Sequence, residues 1–201
     1  SALLVAAHPD WTPGQIKSAL MTTSVQSIVN ADGSPAGVFD RGAGSIRADR
    51  AVAPGLTISE SAEDFAASAS DPLGRIDLNI PSVLIDPLPG AAVVTRTVQN
   101  VTGKAQSYTA TASLSNGVHA IISPSSFTVA PGKTRTITIV LSGIGAADGW
   151  HEGQITLSPR SGGLPVVLPV APAKLAENLP AVLASAADWP DTTIDCSVSA
   201  M

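Results

Sequence analysis

Three histidines, His8, His119 and His151, are the candidate bases of this chain, and Cys196 is its one thiol. Hydrolysis by a side-chain nucleophile needs a base within hydrogen-bond reach of the attacking hydroxyl, and an acid that orients the base. Serines and carboxylates are plentiful, but no serine stands in a nucleophile elbow. His8 closes an apolar run beside Pro9, where an imidazole serves the carbonyl groups and dipole of a helix end. His119 alternates with Val118 and Ala120 and is expected on the solvent face of a strand. His151, within Gly149-Trp150-His151-Glu152-Gly153, is expected to be a surface group of a turn. Neither a His pair at helical spacing nor an Asp-rich calcium loop occurs, and Asn30-Ala31-Asp32-Gly33 reads as a turn. Asn100-Val101-Thr102 spells a glycosylation sequon, yet its place between two strands predicts a hairpin turn. Gly42-Ala43-Gly44 lacks the lysine and the helix opening of a phosphate cradle, so close backbone approach is its expected job. No catalytic, cofactor-binding or metal-ligating residue is assigned to this chain.

Composition narrows the classes further. Charged residues make up 13% of the 201, about half of the roughly 25% usual in globular chains, so disorder through charge repulsion is excluded. A net charge of -5 without any cluster of Lys or Arg excludes the concentrated basic face of a nucleic-acid binder. The longest apolar run, residues 2–7, falls far short of the roughly 18 residues of a membrane span, and no basic-then-apolar leader precedes it. A single cysteine builds neither an internal disulfide nor a thiolate cluster.

The elements that would carry these residues fall into two kinds. Ser1 opens directly into Ala2, Leu3, Leu4, Val5, Ala6 and Ala7, a run of buried-helix type, and the expectation is a fragment whose missing N-terminal part covers it. A mature end that happens to be apolar is the alternative. A second helix begins with Thr12 as N-cap, Pro13 at the first helical position and Gln15 as the reciprocal partner of a capping box, with Trp11 and Ile16 as a hydrophobic staple. Ile16, Ala19, Leu20 and Thr23 then share one face. Turn residues fill 24–35, and a short helical stretch over 47–52 ends at Pro54-Gly55. Some fifty residues of this kind bury too little apolar surface to stand alone.

From about residue 76 the period changes to two. Tyr108, Ala110, Ala112 and Leu114 alternate with threonines and Ser113, and Ile137, Ile139 and Leu141 alternate with Thr136, Thr138 and Val140. Further strands are expected at 93–98, 118–122, 127–129, 155–157 and 166–170, separated by Gly- and Pro-bearing turns. About seven short strands in roughly a hundred residues is the pattern of an immunoglobulin-like sandwich of two antiparallel sheets.

Several of these runs also resemble a known family. Ala6-Ala7-His8-Pro9-Asp10-Trp11-Thr12-Pro13, Ile16-Lys17-Ser18-Ala19-Leu20-Met21-Thr22-Thr23, Asp40-Arg41-Gly42-Ala43-Gly44 and Ala53-Pro54-Gly55-Leu56 are similar, in order and spacing, to the end of the catalytic domain of subtilisin-like serine proteases, the subtilases. Asp77-Leu78-Asn79-Ile80-Pro81-Ser82, residues 94–101 and 123–132, and Gly153-Gln154-Ile155-Thr156-Leu157-Ser158 resemble the fibronectin type III-like domain that follows it in larger members. The resemblance implies a mixed fold: a short α-helical remnant of an α/β catalytic domain, then an all-β immunoglobulin or fibronectin III-like sandwich. The expected division is 1–56 for the remnant, 57–75 for a linker, 76–173 for the sandwich and 174–201 for a flexible tail holding Cys196. The resemblance places the nucleophilic serine in a Gly-Thr-Ser-Met-Ala-x-Pro-His motif just upstream of Ser1, with its Asp and His partners further upstream. What it implies is a secreted or cell-surface endopeptidase acting on protein or peptide substrates, without a cofactor, this chain being inactive by itself. A non-catalytic binding or adhesion module is the alternative.

Overall fold

A computed structural model of the chain describes residues 1–71, 74–115 and 117–174. Cys196 and the rest of the expected tail beyond Lys174 lie outside the described residues.

Helices α1 (Ala2–Ala7), α2 (Pro13–Thr22), α3 (Val38–Arg41) and α4 (Ala48–Ala51) form the first part. α1 stops at His8, as Pro9 requires. The capping box of α2 is complete: Thr12 Oγ1 accepts from the Gln15 backbone at 3.2 Å, and Gln15 Oε1 accepts from the Thr12 backbone at 2.9 Å. Leu4, Ile16, Ala19 and Ala51 make a small core, with Trp11, Leu20 and Val52 packed against it. Between α2 and α3, Asp32 accepts from the Ser34 backbone at 2.9 Å and its hydroxyl at 2.6 Å, and these bonds hold its carboxyl below the ordinary aspartate value. Gly44 meets its expected role. It has φ +109°, and a Cβ there would sit 2.4 Å from the Val25 carbonyl oxygen, against which Ser45 pairs.

The remainder is two sheets around one core. Strand β1 (Leu56–Thr57) pairs with β3 (Ala91–Asn100), which pairs with β7 (Thr134–Ser142) and through it with β5 (His119–Ser123). The second sheet runs β2 (Val83–Leu88), β10 (Val166–Lys174), β9 (Gly153–Pro159), β4 (Gln106–Leu114), β6 (Ser126–Val129), with β8 (Gly149–Trp150) against the end of β10. Val94, Val98, Tyr108, Ile137, Ile139, Leu141, Ile155, Leu157 and Leu168 fill the space between them. One pairing departs from the expected all-antiparallel sandwich, because β2 runs parallel to β10. β10 is also buried on both faces along its whole length, since α2 and α3 lie against it. Thr57 and Ile58, expected as linker, are buried in this body, whereas α5 (Ala62–Ala67), capped by Ser61, whose Oγ accepts from the Asp64 backbone at 2.9 Å, has no buried residue.

Three polar side chains pin residues 76–82 along β3. Arg96 is 2% exposed and donates to the carbonyls of Ile76, Ile80, Ser82 and Thr95. Burial lowers its pKa to about 10 while Asp77 and Glu60 oppose the shift, and carbonyl acceptors on every nitrogen keep the guanidinium charged. Asn79 donates to Ser59 and Thr97 carbonyls and accepts from the Thr97 backbone, and Asp77 accepts from the Thr95 backbone at 2.8 Å. Those side chains cover backbone groups that an edge strand would otherwise leave open.

Candidate functional site: an apolar face on the first helices

α1 is apolar at every position, yet Leu4 is its only buried residue. Leu3 is 71% exposed and Val5 53%. Burying such a side chain is worth about 1.5–3 kcal/mol, so this helix leaves a considerable driving force unspent. Beside it runs a groove of about 750 Å³, lined by Val5, Trp11, Ile16, Leu20, Met21 and Ile46, with Lys17 at its border. The helix is set in place by its one buried residue and by its end. Leu4 packs with Ile16 and Ala19 of α2 and Ala51 of α4. His8 stacks on Trp11 with ring centroids 3.8 Å apart and planes within 6°, and its Nε2 lies 2.7 Å from the Val52 carbonyl oxygen. A carbonyl is indeed the partner of this imidazole, but it belongs to the end of α4 and not to α1.

The other residues singled out by chemistry lie apart from this face and from one another. His119 is exposed on β5. His151 corrects its expectation. It is 2% exposed, with Nε2 2.8 Å from the Ala147 carbonyl oxygen and Nδ1 3.3 Å from that of Ser115. Asn100 is fully buried at the end of β3, where its amide donates to Lys104 and Val129 carbonyls and its Oδ1 accepts from the Thr102 backbone and hydroxyl. That turn carries the chain from one sheet to the other and is not the expected hairpin; with its amide engaged and enclosed, the sequon has no site for a sugar. Among the described residues no group of three or more His, Cys, Asp or Glu is placed to hold a metal, and no helix is long and apolar enough to cross a membrane.

Two features were not visible in the sequence. Phe39 of α3 and Trp150 of β8 meet edge to face, centroids 4.7 Å apart, each about half exposed. Tyr108 and Thr57 each bury a hydroxyl that has no hydrogen-bond partner among the described residues, at the joint between the helices and the sandwich.

The fibronectin type-III domain family matches residues 77–171. Subtilisin-like protease SBT2.6 of Arabidopsis thaliana is 30% identical over 85% of this chain; SBT3.10 is 32% identical over 77% and SBT3.12 34% identical over 61%, both from the same plant. This chain is a relative of the subtilisin-like proteases. It spans about a quarter of the length of these relatives, 25% of SBT2.6 and 24% of SBT3.10. Among solved structures, a PapD-like domain of human CEP192 aligns over 47% of the chain and 81% of its own at a TM-score of 0.39 and 9% identity, a likeness too slight to build on. The likeness to subtilases runs beyond the sandwich, because 85% of the chain exceeds what residues 77–171 supply.

Proposed function

We propose that this chain is the C-terminal part of a secreted subtilisin-like serine endopeptidase, and that residues 1–56 complete its catalytic domain. The observation that carries the reading is α1, an entirely apolar helix with only Leu4 buried. Such a helix, with the groove beside it, needs a covering lobe, and the relatives have about three quarters of their length to supply one. In this reading α1 is the end of the helix that begins at the nucleophilic serine, seated through Leu4 on Ile16, Ala19 and Ala51. The serine attacks the peptide carbonyl, a histidine takes its proton, and an aspartate orients that histidine, all three upstream of Ser1. The part played by this chain is mechanical: the packing of Leu4 and the clamp of His8 onto Trp11 and Val52 hold the serine's helix still.

A second reading, a binding or adhesion module, draws on the half-exposed Phe39–Trp150 pair. Casein cleavage, with and without a serine-directed covalent inhibitor, separates the two. The polypeptide extended upstream from the same coding sequence is expected to cleave casein and to be blocked, and the 201-residue chain to do neither. Inhibitable cleavage by the chain alone overturns the upstream placement of the nucleophile. An inert extended polypeptide favours the binding module.

A further inference from the structure

The side chains of Trp150, His151 and Glu152 go to three different partners. Trp150 stands against Phe39 of α3. Glu152 reaches the start of the same helix, where its Oε2 accepts from the Val38 backbone at 2.5 Å. Between them His151 is enclosed by segments of the sandwich, its backbone N–H donating to Pro172 of β10 at 2.9 Å.

The ring of His151 faces a carbonyl oxygen at each nitrogen, Ala147 at 2.8 Å and Ser115 at 3.3 Å. Carbonyl oxygens only accept. A neutral imidazole carries one N–H, so it can satisfy one of the two and must turn a lone pair on the other, whereas the imidazolium donates to both. The longer contact, to Ser115, is the one a lost proton would release. Ser115 is in turn bonded twice to Glu152, the residue after His151: its backbone N–H donates to the Glu152 carbonyl at 2.9 Å, and its Oγ accepts from the Glu152 backbone at 3.1 Å. The route from ring to helix is therefore continuous: His151, Ser115, Glu152, Val38. The charged or titratable groups on the surrounding elements are Asp148 and Glu152 on its own segment, Lys174 on β10, Asp40 and Arg41 on α3, and His119 on β5.

We infer that Trp150-His151-Glu152 is a proton-operated latch between the sandwich and the first helices, closed while His151 carries both ring protons and loosened at Ser115 and α3 when it loses one. The latch does not depend on the protease reading.

The test uses the intact 201-residue chain. Imidazole ¹⁵N chemical shifts across about pH 5 to 8, with His151 identified by elimination using His8→Gln and His119→Gln, report its protonation directly. Backbone hydrogen exchange of Val38 and Glu152, corrected for the intrinsic pH dependence of exchange, reports the hold on α3. At the acid end both nitrogens of His151 are expected to be protonated, and through its titration Val38 and Glu152 are expected to lose protection by about tenfold, the worth of one hydrogen bond to a charged group. In His151→Gln the protection is expected to stay constant with pH. A ring that remains neutral throughout, or protection of Val38 that is unchanged while the ring titrates, overturns the latch. These two wild-type readouts stand even where His151→Gln fails to fold. A pH response that persists in a folded His151→Gln overturns it as well.

Discussion

Tyr108 is the chain's only tyrosine and is fully buried, with its ring stacked on Phe127 at 5.8 Å and its hydroxyl without a partner among the described residues. Gly55 makes room for that hydroxyl, since a Cβ at position 55 would lie 2.3 Å from it. Burial disfavours the phenolate and pushes the pKa up to about 12. The unfolded chain, ionising near 10, gives up this proton first, so the contribution to stability is whole below about pH 10 and is lost as pH rises toward 12. Because no second tyrosine contributes, phenolate absorbance near 295 nm follows this group alone. The folded chain is expected to titrate with a midpoint near pH 12 and the urea-unfolded chain near 10; a folded midpoint at 10 would mean an exposed hydroxyl. At this scale the sequence was least legible. Alternation placed Tyr108 on the inner face of a strand, but the enclosure of His151 and Asn100 also draws on Pro172 and Val129, which are distant in sequence and fall in no local window.

Elements were more legible because their causes are local. Thr12, Pro13 and Gln15 start α2 through bonds three residues apart, and the twofold alternation in β4 and β7 marks each buried face. β2 escaped the reading: Val83, Ile85 and Leu88 are buried, but Asp86-Pro87 interrupts the alternation, and its partner β10 lies some eighty residues away. The joint between the helices and the sandwich was hidden for the same reason. There Ser18 on α2 is fully buried and its Oγ accepts from the Ile58 backbone at 2.8 Å, just after β1, while Gln15 donates to Gln99 on β3 at 3.1 Å. Ser18→Ala removes the acceptor and leaves a buried N–H unpaired, which costs about 1–3 kcal/mol. Urea unfolding is expected to show that loss with an unchanged slope. A loss below a few tenths of a kcal/mol would mean that the joint contributes little to the fold.

At the scale of the whole molecule, β10 and α1 are opposite cases. β10 carries Val166, Val167, Leu168, Val170 and Ala171 and is covered on both faces from within this chain, one by the other sheet and the other by the helices. α1 is equally apolar and is covered on one residue only. The sandwich core is thus complete among the described residues, whereas the first helices present an apolar surface to solvent. Alternation in β4 and β7 marked the inward faces of the sandwich, but not the burial of β10 on both sides. The apolar run 2–7 hinted at the apolar surface of the first helices, although only coordinates distinguish Leu4, turned inward, from Leu3 and Val5, turned out. In the protease reading proposed above, the lobe bearing the serine covers that surface. Thiol reactivity at Leu3→Cys, in a Cys196→Ser background, measures it directly when the 201-residue chain is compared with the upstream-extended polypeptide under native conditions. Rapid alkylation is expected in the chain and protection of at least a hundredfold in the extended polypeptide, in keeping with a fully buried thiol. Equal rates in the two would contradict it.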